Sequence, residues 1–127
     1  MADITFNIAL GKIKYYAELP ATNDALILVA LESSGLVADS VMRDYQTLSA
    51  LLAGASNEQT TVTRKTLASV KVTVDYTNDR VALDAADVVY TAPTGNAIGA
   101  LVICYDPDTT TGDDTTIVPL TKHGITW

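Results

Sequence analysis

"PTGNAIGALVICYDPDTTTGDD", residues 93–114, is the stretch on which the reading of the fold turns. Four chemistries compete for it: a phosphate loop, a metal site, a thiol active site, and a strand held between two turns. A phosphate loop needs the order G-x-x-x-x-G-K-[ST], or G-x-G-x-x-G opening a helix, so that backbone amides can cradle the anion. GNAIG offers neither order. Ala97 to Tyr105 is instead an apolar run of nine residues, with turn formers on both sides. That length and those boundaries predict a buried strand. Gly99 inside it marks a bulge or a close approach of another backbone. Cys104 then falls in mid-strand, where burial raises a thiol's pKa and keeps it inert.

The aspartates that follow are Asp106, Asp108, Asp113 and Asp114. A calcium loop of the EF-hand kind requires D-x-[DN]-x-[DN]-G with a closing glutamate, because the ion takes six to eight oxygens at set positions. Here Thr110 stands at the third of these positions and no glutamate follows Glu58. The segment reads as a solvated acidic turn, and no metal site is assigned.

Outward from this strand the pattern repeats. ALILVALE (25–32) is a short apolar run between Thr22-Asn23-Asp24 and Ser33-Ser34-Gly35, which predicts a strand buried on both faces. Val70, Val72, Val74 and Tyr76 alternate with Lys71, Thr73, Asp75 and Thr77, TNDR (77–80) is turn chemistry, and Val81 and Leu83 resume period two. A hairpin with one wet face follows. Val88 to Tyr90 reads as a further short strand. TTIVPLT (115–121) reads as a last strand whose Pro119 demands a sheet edge or a bulge.

Helical spacing is clearest over 40–53, where Val41, Tyr45, Leu48 and Leu52 recur with Leu51 beside them, Asp39 or Asp44 could cap the start, and Gly54 takes the C′ position. A second helical segment is read over about 9–19, ending at Pro20. Before it, Ile4, Phe6 and Ile8 alternate as an extended N-terminal arm or a first edge strand.

Composition sets the function classes. The chain has 127 residues, a formal net charge of −7 and eight scattered basic residues. Phosphate backbones are bound by clustered cations that release counterions, so nucleic acid is not an expected partner. Threonine occurs eighteen times, fifteen of them at or after Thr60, which loads the second half with strand and turn. One cysteine excludes an intrachain disulfide, and with one histidine it leaves too few soft ligands for a structural zinc site. No run reaches the ~18 apolar residues of a membrane helix, and the first residues lack a signal peptide's plan. A soluble protein made in the cytoplasm is expected.

His123 has no carboxylate at useful local spacing, a spatial partner being left open, and Asp84 with Asp87 carries no glycosidase signal. No catalytic residue, cofactor or small-molecule substrate is assigned. Trp127 ends the chain and is expected to pack on its own domain or on a neighbouring subunit. The fold class read from these elements is α+β: a mostly antiparallel sheet with one or two short helices, residues 1–8 as an arm or edge strand and 9–127 as a single domain.

RDYQTLSALLAGASNEQTT (43–61), DYTNDRVALD (75–84) and TGNAIGALVICYDPDTTTGDDTTIVPLTKH (94–123) resemble a family of small structural proteins of tailed bacteriophages, the head decoration or minor capsid proteins. The resemblance runs from about Ala25 to His123. It implies a protein that binds the outer surface of the icosahedral head, as a homotrimer near threefold positions, with the major capsid protein as partner. The family has no active site to carry over, and this chain stops soon after the PLT-x-H segment. Ile4, Phe6, Ile8 and Trp127 are the expected interface, the first three by adding a strand to a neighbour's sheet edge. Two other readings fit the composition: a tail-tube or head-completion subunit, and a secreted adhesin or carbohydrate-binding module, the latter disfavoured by a single tryptophan.

Overall fold

The computed structural model describes residues 3–54, 57–90 and 93–125. Its centre is the pair of apolar runs picked out in the sequence. Strand β2 (Ala25–Glu32) and strand β6 (Ile98–Asp106) lie antiparallel, from Ala25 opposite Asp106 to Leu31 opposite Ala100. β2 is buried at every residue but Glu32, because both of its faces are covered. β7 (Val118–Gly124) flanks β6, β1 (Ile4–Thr5) flanks β7, and β3 (Lys65–Thr66) flanks β2. The sheet order is β1-β7-β6-β2-β3, antiparallel throughout. A separate two-stranded sheet is the hairpin of β4 (Lys71–Asp75) and β5 (Arg80–Asp84). The architecture is α+β in one domain.

Both irregularities read from single residues are present. Pairing steps from Leu31↔Ala100 to Glu32↔Ile98 and leaves Gly99 as the extra residue of a bulge. A Cβ there would stand 2.6 Å from the Ser33 Cα, a backbone atom that cannot swing aside. Gly99→Ala is therefore expected to destabilise the fold by about 1–3 kcal/mol through overpacking, read as a lower urea midpoint with an unchanged slope. On the other side of β6 the register steps from Ile103↔Thr121 to Cys104↔Pro119, so Pro119 sits at a bulge, where its missing N–H costs no ladder bond. β1 pairs outside β7 only at Thr121 and Lys122, so Pro119 lies beyond the stretch that β1 covers.

One face of the sheet carries Ile27, Val29 and Leu31 of β2 with Ala100, Val102 and Cys104 of β6. It is closed by Met42 of α2 (Asp39–Met42) and by Leu48 and Leu51 of α3 (Leu48–Gly54). The other face carries Leu26 and Tyr105, closed by α1 (Ile13–Ala17) and by Val72 and Leu83 of the hairpin.

Several expectations are corrected. The continuous helix over 40–53 is two short helices. Thr47 Oγ1 accepts the Ala50 amide at 3.1 Å, while the amides of Leu48 and Ser49 donate to the carbonyls of Ile117 and Asp114. A fresh N-terminus is thus satisfied where an unbroken helix would have used its preceding turn. Neither Asp39 nor Asp44 caps a helix: α2 begins after Ala38 without a side-chain cap, and Asp44 accepts from Asn7 Nδ2 at 2.5 Å. Val41 is exposed and Met42 is buried in its place. Gly54 is the last residue of α3 and not its C′, with the Tyr45 ring lying where a Cβ would go. The segment read over 9–19 is a 3-10 turn at Asn7–Ala9 followed by α1. Residues 88–90 form no strand; Tyr90 packs beside Val62 and Ile98 beneath Lys65, and Val89 is exposed.

Of the two readings of the N-terminal segment, an extended arm or a first edge strand, the described residues form the edge strand. Ile4 and Phe6 are buried in the core against which Ile8 packs, and β1 pairs in its own sheet, Ile4 with Lys122 and Thr5 with Thr121. Ile4 and Phe6 therefore face this domain's own core, with Ile8 half-buried beside it. Trp127 lies outside the described residues.

Candidate functional site

Each polar group singled out in the sequence has a definite structural place. The acidic turn is the most heavily bonded. Asp108 Oδ1 accepts the amides of Thr110 and Thr111 and the Thr110 hydroxyl, and its Oδ2 accepts the Thr111 hydroxyl at 2.6 Å. Asp113 accepts the amide and hydroxyl of Thr115. This is the side-chain-to-backbone chemistry that makes Asp and Thr turn formers. Asp114 faces Arg64, whose Nη1 and Nη2 donate to its two oxygens at 2.7 and 3.0 Å, while Nε and Nη2 donate to Glu58 at 2.7 and 2.8 Å. One guanidinium therefore clamps the loop before β7 to the connection after α3, in the bidentate geometry arginine favours. Those two carboxylates push the Arg64 pKa further up.

An open depression lies over this turn, lined by Arg64, Asp106, Asp108, Asp113, Asp114 and Ile117. Its carboxylates are already engaged by hydroxyls, amides and the guanidinium. Among the described residues no group of three or more His, Cys, Asp or Glu converges as a metal site.

These bonds set an acid limit. Hydrogen bonds from Thr110 and Thr111 hold the Asp108 carboxyl down to about 2, against an ordinary 3.8. Gly124 and His123 lower Asp3, Asn78 lowers Asp75, Thr115 lowers Asp113, and Arg64 lowers Asp114. All are carboxyls whose folded pKa lies below the unfolded one, so the unfolded chain binds more protons in this range. Their contribution is complete above about pH 4 and is lost as pH falls through the folded values. Thermal melts are expected to hold a plateau from pH 7 to about 4 and then drop steadily towards pH 2. A melting temperature that rises on acidification below pH 4 would contradict the sign.

Cys104 is fully buried opposite Pro119, and burial pushes its thiol up, as its place in the apolar run implies. His123 does have a carboxylate neighbour. The β1–β7 pairing brings Asp3 Oδ2 to 3.4 Å from Nδ1, while Nε2 lies 3.0 Å from Thr121 Oγ1, and Asp3 Oδ1 accepts the Gly124 amide at 3.0 Å. The imidazole and carboxylate are 43% and 64% exposed, and the contacts close the seam between the first residues and β7.

Sequence reasoning missed one buried charge. Lys122 is fully buried and donates to Asp39 Oδ1 at 2.7 Å. Local alternation does not reveal it: Leu120 belongs to the face covered by α1, and the bulge at Pro119 turns Lys122, opposite Val102, to the face covered by α2 and α3.

The feature with a surface to offer is the hairpin. Its apolar stripe divides in two: Val72 and Leu83 pack against α1, whereas the facing pair Val74 and Val81 is 40% and 45% exposed and Tyr76 is 88% exposed. Period two identified the stripe, but the covering layer ends halfway along it. Among the described residues no helix is long and apolar enough to cross a membrane. No family model matches this chain, and no curated protein or solved structure is similar to it.

Proposed function

We propose that this chain is a structural protein of a tailed-bacteriophage virion, a head decoration or minor capsid protein that binds the outer surface of the capsid, with the major capsid protein and its own copies as partners. The observation that carries the reading is the uncovered apolar end of the hairpin, Val74, Tyr76 and Val81. Tyr76 and Val81 lie in one of the segments that resemble that family, DYTNDRVALD (75–84), and Val74 immediately precedes it. With Ile4 and Phe6 committed to the core, contact with the shell falls to surfaces of this kind and not to a free arm.

The mechanism is geometric. An expanded head presents many identical sites, and copies of modest affinity that also touch each other, in the homotrimer the family resemblance implies, occupy them together. Each bridge then opposes separation of neighbouring capsomers. A net charge of −7 favours the outside of the shell, since packaged DNA would confront it with dense like charge.

Imaging of purified virions labelled with an antibody to the chain tests this directly. Hundreds of copies on the outer head surface are expected. A single ring at the head–tail junction, or label along the tail tube, would replace the reading by a head-completion or tail subunit, and absence from virions would end it.

A further inference from the structure

We infer that β4 is a self-pairing edge: two copies of the chain join by laying Lys71–Asp75 antiparallel against its counterpart about a two-fold axis through Thr73.

Among the described residues the hairpin is a sheet of two strands, so the outer edge of β4 has no strand partner there. An isolated two-stranded hairpin is marginal in water, and an exposed edge is a template for another strand. The sequence of the edge selects what it fits. Residues 71–75 read Lys-Val-Thr-Val-Asp. Set antiparallel to itself about Thr73, the strand places Lys71 opposite Asp75 of the second copy at both ends, Val72 opposite Val74 twice, and Thr73 opposite Thr73. Opposite charges, β-branched apolar pairs and Thr–Thr are all favourable cross-strand neighbours. Moving the register by one residue sets charge against valine and turns the valines to the wrong face. A shift of two residues keeps the valines on one face but separates Lys71 from Asp75. It is therefore the charge pairs that select the register through Thr73, and the local charge of that contact is zero although the chain as a whole carries −7.

β5, Arg80-Val81-Ala82-Leu83-Asp84, has the same order of charges, and two further observations choose β4. The open groove beside the start of β4 is lined by the apolar Ala17, Leu19, Val70 and Val72 and by the charged Lys14, Glu18 and Lys71, which gives an incoming strand a mixed floor with both apolar and ionic contacts. The axis residue would be Thr73 in place of Ala82, adding a hydroxyl pair. In the resulting four-stranded sheet, the half-exposed Val81 and Val74 of each copy form one row with Val72 and Leu83 of the other, Val74 directly beside Val72. Val72 and Leu83 are the positions already packed on α1, so the uncovered half of each stripe is continued by the covered half of its neighbour. This contact is a property of the isolated chain and does not depend on the capsid reading; either can fail without the other.

The test uses the full chain with one introduced thiol. In the paired sheet the two residues 73 have Cα atoms about 4.5–5.5 Å apart, within disulfide range. Residues 71 of the two copies are offset by four positions, roughly 13 Å, and cannot be bridged. Thr73 and Lys71 are exposed and the native Cys104 is fully buried, so oxidation reads the introduced site. Mild oxidation of T73C at micromolar concentration is expected to give at least tenfold more covalent dimer than K71C or A82C. Equal yields from the three variants, or more dimer from A82C, would overturn the inference. Hydrogen exchange of the unmodified chain is an independent measure: the amides of 71–75 are expected to exchange at least several-fold more slowly at high than at low protein concentration. Exchange independent of concentration would count equally against it.

Discussion

Phe6→Ala is expected to lower the unfolding free energy by about 3–5 kcal/mol, the cost of emptying a large aromatic site in a core that collapses only in part. Phe6 is fully buried and is the largest fully buried side chain among the described residues. It belongs to the cluster that holds Met42, Leu48, Val102 and Ile117, and its amide donates to the Leu120 carbonyl at 2.9 Å. The side chain therefore joins the first strand, the helices α2 and α3, and the sheet. A domain of this size has about 5–15 kcal/mol of stability in total, so the loss would bring the variant close to unfolding near 37 °C. Urea unfolding of Phe6→Ala against the native chain measures it, with a midpoint shift at constant slope as the expected form. A free arm would give the opposite result, a change below about 0.5 kcal/mol, since surface substitutions seldom exceed that. For the same reason removal of residues 1–8 is expected to unfold the domain and not to leave it intact without its contact.

What the sequence made legible follows a physical line. β2 and β6 were readable because both faces of each are covered, and a continuous apolar run of eight or nine residues between turns has few other uses. Gly99 and Pro119 were readable because each lacks something, a Cβ or an N–H, that a regular strand position normally has. Phe6 was misassigned since period two identifies a strand face without saying whose core receives it. Only Ile4 and Thr5 pair before the chain turns into its 3-10 segment. The break between α2 and α3 depends on carbonyls of Asp114 and Ile117, more than sixty residues away in sequence, which no local periodicity reveals. Asp3 reaches His123 through strand pairing over a separation of 120 residues, and the hairpin's apolar stripe is half bare because α1 is only five residues long. Local propensity was informative where the contact is local or the burial complete; long-range pairing decided the rest.

The buried ion pair gives the second large effect, and its two halves are expected to behave differently. Lys122 has no exposed side-chain surface, while the Asp39 side chain keeps 26%. Asp39→Ala withdraws the carboxylate 2.7 Å from an ammonium that water cannot reach freely, and removing one member of a buried pair costs about 3–5 kcal/mol. Lys122→Met removes the buried charge itself, fills the same channel with an unbranched apolar chain, and leaves Asp39 where solvent can hydrate it. Exchange of a buried ion for a well-packed apolar residue is often close to neutral, so this variant is expected to lie within about 1.5 kcal/mol of the native chain. Asp39→Asn keeps an acceptor oxygen without the charge and should fall between the two. Urea unfolding of all three orders them, and repeating the native measurement in 1 M salt should change the pair's contribution little, because screening acts on exposed charges. If Lys122→Met proved as damaging as Asp39→Ala, the cost would lie in packing around β7 and α2, and the desolvated charge would not be the quantity that governs this site.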